Sequence, residues 1–148
     1  MSDVERRLFR YGDLKRIIRE YELDLLSEQK KRDEFLEGQL RAPSMQEPRV
    51  QGGERSDTVF DAVKVLMGIY DKRMERIRDK IRDAEREHDE TDSVIVRAKL
   101  TTPERQYVGL RYVKGVSAAR AAREMGYSEK QARRIKLMAL EKFEKMSA

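Results

Sequence analysis

The chain has 148 residues; 41% are Asp, Glu, Lys or Arg, 39% are hydrophobic and 7% aromatic, with no Trp, no Cys and a net charge of +5. An ordinary globular chain is about 25% charged, so little material is left for a thick core, and a single broad-cored enzyme domain is not expected at this length. Without Cys there is no disulfide, thiolate zinc site or cysteine nucleophile, which points to an intracellular setting, and the single histidine, His88, removes most zinc and triad chemistry.

Ser2, Asp3, Glu5, Arg6 and Arg7 open the sequence, and no apolar run of signal-peptide length follows them. Val4, Leu8, Tyr11, Leu14, Ile18, Tyr21 and Leu25, then Phe35, recur at steps of three and four, which predicts a first helix over residues 1–37. The pattern stops over residues 38–57, where Pro43, Pro48, Gly52 and Gly53 stand among polar residues, and a mobile polar loop is expected there. A second stripe, Val59, Val63, Leu66, Tyr70, Met74, Ile77, Ile81, Ala84 and His88, predicts a coiled-coil helix over 58–92, with Asp71 to Glu87 supplying an alternating-sign solvated surface. The longest strongly apolar stretch, Val65 to Tyr70, is interrupted by Gly68 and falls far short of the ~20 residues of a membrane span, so a soluble protein without a membrane partner is expected. Each helix has one stripe to bury, either against the other as a helical hairpin or against a second copy of the chain as a homo-oligomer. His88 reads as a helix-terminal or partly buried residue rather than a metal ligand.

The last part, 93–148, is punctuated more finely. Residues 100–148 carry 11 basic and 5 acidic side chains, whereas residues 1–99 carry 22 and 23, so the whole positive excess lies there. Thr101, Thr102 and Pro103 start a helix with a hydroxyl cap and a first-turn proline, ending near Gly115. Ser117 caps a short helix that Gly126 ends in a left-handed conformation, and Ser128 with Gln131 forms a capping box for a last helix reaching about Met146. Two short helices around Gly126-Tyr127-Ser128, the second rich in cations, have the pattern of a helix-turn-helix. Ala118, Ala121 and Ala122 are small enough for a close crossing. The amino-terminal end of the second helix favours phosphate and presents Glu129, Lys130, Gln131, Arg133 and Arg134, with Lys136 behind.

Plainer readings stand beside these. A cationic amphipathic helix can be merely a solvated face. Glu129 can serve the helix dipole instead of reading a base, and Gln131 can be only the partner of Ser128 or can also reach adenine. Lys142 and Lys145 read as complements to the helix dipole at its carboxyl end, and Tyr107 and Tyr112 as core residues. No phosphate-cradling loop, no carboxylate pair in an apolar pocket and no nucleophile with a base is visible, so no enzymatic activity, metal site or cofactor is expected.

The order Glu104-Arg105, Val108, Leu110-Arg111-Tyr112-Val113, Gly115, Ser117, Ala122, Met125-Gly126-Tyr127-Ser128, Gln131, Arg134-Ile135 and Ala139-Leu140 resembles region four of sigma factors. More closely, it resembles the RinA/ArpU group of bacteriophage-encoded transcriptional regulators. The resemblance extends in layout over the whole chain, since those relatives place a charged helical hairpin with a proline-containing loop first, and in motif over the last ~45 residues. It implies an all-α protein: an amino-terminal helical hairpin or coiled coil, then a sigma-region-four-like helix-turn-helix domain at 93–148.

The implied function is sequence-specific regulation of phage or prophage genes in a bacterial host cytoplasm, on double-stranded DNA and with host RNA polymerase. The expected DNA-binding residues are Ser117, Arg120, Ser128, Glu129, Lys130, Gln131, Arg133, Arg134 and Lys136. Ala121 and Ala132 stand where larger aliphatics are usual, so the module is expected to lean on Ile95, Val96 or the coiled coil. Arg120 replaces a more usual acid and adds a candidate phosphate contact. Rival expectations are a small terminase subunit that packages DNA and a helical adaptor whose basic helix meets an acidic protein.

Overall fold

The computed structural model describes residues 1–40 and 53–147, with side chains described from residue 59 onward in the second stretch. Residues 41–52, most of the expected mobile loop, lie outside the described residues. Five helices and no strand occur among the described residues, so the fold is all-α. They are α1 (Asp3–Leu40), α2 (Gly53–Arg97), α3 (Thr102–Val108, continued by a π turn at Gly109–Val113), α4 (Ala118–Met125) and α5 (Glu129–Ser147). None is long and apolar enough to cross a membrane among those residues.

Both long helices outrun the expected limits. α1 continues through Gly38 to Leu40, and α2 begins at Gly53 and passes the expected boundary at 92/93 to end at Arg97. The run Val94-Ile95-Val96 is β-branched, yet it stays helical because Val94 is buried and Ile95 packs on the same core. α2 ends with Lys99 in the left-handed region at φ 51°, where glycine is the usual residue. His88 is therefore inside a helix rather than at its end. It is half-buried and stacked on Tyr11 with ring centroids 4.7 Å apart.

The chain divides into two compact units, Arg19–Arg82 and a composite of Met1–Ile18 with Asp83–Ala148. In the first, α1 and α2 meet in opposite chain order. Lys80 lies over the Tyr21 ring, Arg32 Nε donates to Asp71 Oδ1 at 2.8 Å, and the Phe35 and Tyr70 rings are 6.0 Å apart. Met74 is buried, with Tyr21, Leu25, Phe35, Val63, Met67, Tyr70, Ile77 and Ile81 half-buried. Two expected stripe members differ: Val59 and Leu66 are each 42% exposed. Val63 keeps its expected place, and the seam shifts from Leu66 to Met67, since a helix of 3.6 residues per turn drifts against a strict 3.5-residue spacing. Ala62, Val65, Leu66 and Ile69 are left as an exposed apolar flank of α2.

The composite unit has the main core: Leu8 from α1, Val94, Ala98 and Leu100 from the end of α2 and the turn after it, and Tyr107, Val108, Tyr112, Ala121, Ala122, Ala132, Ala139 and Phe143. Tyr107 and Tyr112 are core residues, as expected. The small Ala121 and Ala132 are compensated by Leu8 and Val94, whereas Val96, one of the expected supports, is 69% exposed. α1 crosses the π turn so closely that a Cβ on Gly12 would overlap the Tyr112 carbonyl oxygen. Tyr11 donates to Asp92 at 2.7 Å, and Arg10 pairs with Glu87 at 3.2 Å.

Candidate nucleic-acid interface

Local sequence sets the direction of each short helix. Thr101 caps α3 in a reciprocal box: its Oγ1 accepts from Glu104 N at 3.4 Å, and Glu104 Oε2 accepts from Thr101 N at 3.0 Å. Ser117 Oγ accepts from Arg120 N at 3.2 Å to cap α4. Gly126, at φ 74°, ends α4 in the left-handed conformation, and Tyr127 N donates to Ala122 O at 3.0 Å. Ser128 Oγ then accepts from Gln131 N at 3.2 Å, while Gln131 Oε1 accepts from Ser128 N at 3.2 Å. Ser117 and Ser128 are thus caps, and the Gln131 carbonyl oxygen is occupied as the partner of Ser128.

α5 is two-faced. Ala132, Ala139 and Phe143 are buried, and Ile135, Lys136, Leu140 and Lys142 half-buried. Lys130, Arg133, Arg134 and Leu137 are exposed at i, i+3, i+4 and i+7, a single outward stripe. Among the described residues none of these three cations has a carboxylate within ion-pair distance, and Glu129 occupies the first turn beside them. Farther along, Glu141 is outward and paired with Lys145 at 3.2 Å, so the positive stripe is confined to the first two turns.

The other expected cations are engaged. Arg120 Nε lies 3.1 Å from Glu124 Oε1, an exposed i,i+4 pair. Lys136 is on the inner side of α5, its Nζ 3.0 Å from Glu5 Oε1, and the same oxygen accepts from the Tyr112 hydroxyl at 3.0 Å. Burial alone would raise the Glu5 carboxyl, but the hydrogen bonds from Lys136 and Tyr112 and the Lys136 charge hold it below its ordinary value. Burial, reinforced by Glu5, pushes the Tyr112 hydroxyl upward. Lys142 does more than complement a helix dipole: its Nζ sits 2.9 Å from both oxygens of Glu104, a carboxylate only 2% exposed. Burial opposes ionisation of Glu104 too, and Lys142 with the Thr101 cap reverses that balance and lowers its pKa.

Sequence reasoning missed Glu5, Glu104 and the partner role of Lys142. Glu104 had a visible signal, since it stands three residues after Thr101 in capping-box register. Glu5 had none, because its partners come from the far end of the chain. No cluster of metal-ligating residues occurs among the described residues. Compared with protein-family models, with curated proteins and with solved structures, the chain matches none.

Proposed function

We propose that the chain is a sequence-specific DNA-binding protein, a binding module rather than a catalyst, that engages duplex DNA with the first two turns of α5. α4, the Gly126 turn and α5 act as a helix-turn-helix, with α1 and α2 as a helical hairpin arm. The observation that supports this reading is the outward set Lys130, Arg133 and Arg134, without a carboxylate partner among the described residues and directly after a capped helix start. Elsewhere in the same unit Arg10, Arg120, Lys136, Lys142 and Lys145 are matched by carboxylates, whereas Lys15, Lys99, Arg105, Lys114 and Arg123 have no such partner among the described residues; what sets Lys130, Arg133 and Arg134 apart is their gathering on one stripe at a capped helix start. Phosphates suit the free amides and cations of that helix start, and guanine suits an arginine in the major groove.

The resemblance of its motifs to phage regulators supports regulation of phage or prophage genes alongside host RNA polymerase. The exposed flank Ala62, Val65, Leu66 and Ile69 favours a homo-oligomer through the arm. Selection of duplexes from a random pool, with the solution mass recorded alongside, tests the reading. The expected result is one enriched motif, a salt slope between about −1 and −3 according to how many of the three cations sit on phosphate rather than on guanine, and a small oligomer. A large closed ring would favour a DNA-packaging subunit instead, and weak binding without enrichment would favour an adaptor for an acidic protein.

A further inference from the structure

Leu137 is the member of the outward stripe that charge does not explain. It is 56% exposed, it belongs to none of the buried clusters, and it stands seven residues after Lys130 and three and four after Arg134 and Arg133. At ~1.5 Å of rise per residue, the stripe from Lys130 to Leu137 extends about 10 Å, which fits inside a major groove about 12 Å wide. The next outward residue on that line, Glu141, is an acid already paired with Lys145, so the stripe suited to DNA ends at Leu137. An isobutyl group in that place cannot contact phosphate. The one apolar feature of the major-groove base edges is the C5-methyl group of thymine.

We infer that Leu137 is a specificity-determining residue that packs against a thymine methyl group in the bound duplex. The inference rests on the DNA-binding reading above and adds a base preference to it: thymine beside the guanines or phosphates held by Arg133 and Arg134. Met138 is a built-in comparison. It is 53% exposed, nearly as much as Leu137, but lies about 100° round the helix, on the Gln131 side of the stripe.

The test uses the full chain and a selected duplex in which each thymine is replaced in turn by deoxyuridine, a change that removes only the methyl group. Wild-type protein should lose about fourfold in affinity at one position, the value of one buried methyl group. Leu137→Ala should bind the thymine and deoxyuridine duplexes equally while keeping the wild-type salt slope, and Met138→Ala should keep the wild-type discrimination. A wild-type scan with no sensitive thymine overturns the inference without needing any variant. So does a Leu137→Ala protein that still discriminates. Failure to bind any duplex would instead remove the DNA-binding reading itself, and is seen as absent binding rather than lost discrimination.

Discussion

The Lys136 ammonium lies 3.0 Å from the Glu5 carboxylate, joining the inner side of α5 to the first turn of α1, and the Tyr112 hydroxyl donates to the same Glu5 oxygen. The pair is mostly shielded from solvent, with Glu5 and Lys136 side chains 16% and 32% exposed. Glu5→Ala should therefore lower the free energy of unfolding by about 1–2 kcal/mol, because it strands a partly buried ammonium and a hydroxyl. Denaturant unfolding of Glu5→Gln, Lys136→Met and the double variant would measure the coupling. Strictly additive losses would show that the contact contributes nothing.

Lys136 and Arg134 should separate cleanly on DNA. Arg134→Ala removes an outward, unpaired guanidinium and should cost roughly 1–3 kcal/mol of binding. Lys136→Ala should leave the slope of affinity against salt unchanged, because its ammonium is spoken for by Glu5. Binding titrations at several salt concentrations decide this, and a slope made shallower by about one in Lys136→Ala would place that lysine on phosphate after all.

Acid should unfold the composite unit early. Glu5 and Glu104 both have folded pKa values below the ordinary 4.5, so the stability they provide is complete above that value and drains away as pH falls from it through the depressed folded values. Thermal melts of the wild type should fall steeply below about pH 4.5, and those of Glu104→Gln, less stable at neutral pH, should fall less steeply. At the alkaline end the sign reverses. Burial first, then the hydrogen bond to Asp92, pushes the Tyr11 hydroxyl up to about 12, so stability held below pH 10 is lost between 10 and about 12. Tyr11→Phe should flatten that alkaline decline.

Gly12→Ala should be among the most damaging substitutions in the chain, costing about 3 kcal/mol, since its Cβ would overlap backbone atoms of the π turn rather than a side chain that can swing aside. Gly38→Ala has open space around it and should be neutral or slightly stabilising through helix propensity. Melting temperatures of the two variants test the contrast.

Val65→Glu combined with Ile69→Glu should lower the solution mass while leaving helicity unchanged, because both side chains belong to the exposed flank of α2 and not to its buried seam. Ile77→Asp, by contrast, should reduce helicity. Sedimentation and circular dichroism read the two effects separately.

Local signals in the sequence located the elements well. Caps at Thr101, Ser117 and Ser128, the left-handed Gly126, the stripe on α1 and most of the stripe on α2 lie where short-range spacing put them, because capping and periodicity are decided within a few residues. What spacing could not reveal was which residues meet across the fold. Lys136 and Lys142 carry the same charge on the same helix as Lys130, and only distant Glu5 and Glu104 distinguish structural cations from free ones. The slip of the α2 seam from Leu66 to Met67 was hidden for a related reason: both residues are apolar, and the partner helix decides which one is covered.

The composite unit draws on both ends of the chain, and this imposes an order on its biosynthesis. Leu8 and Glu5 leave the ribosome well before their partners in α3 and α5, a wait of several seconds at roughly 5–20 residues per second. Until then α1 has an uncovered Leu8 and an unmatched Glu5, and α5, which packs mainly on α3 and α4, gains from α1 the Glu5–Lys136 pair and the Arg7 guanidinium over the Phe143 ring. A product started internally after α1 would keep the packing of α5 on α3 and α4 but lack Leu8 in the core and the Glu5 partner of Lys136. The close crossing at Gly12 therefore forms late, once the π turn has been made, and holds α1 against a segment about 100 residues downstream.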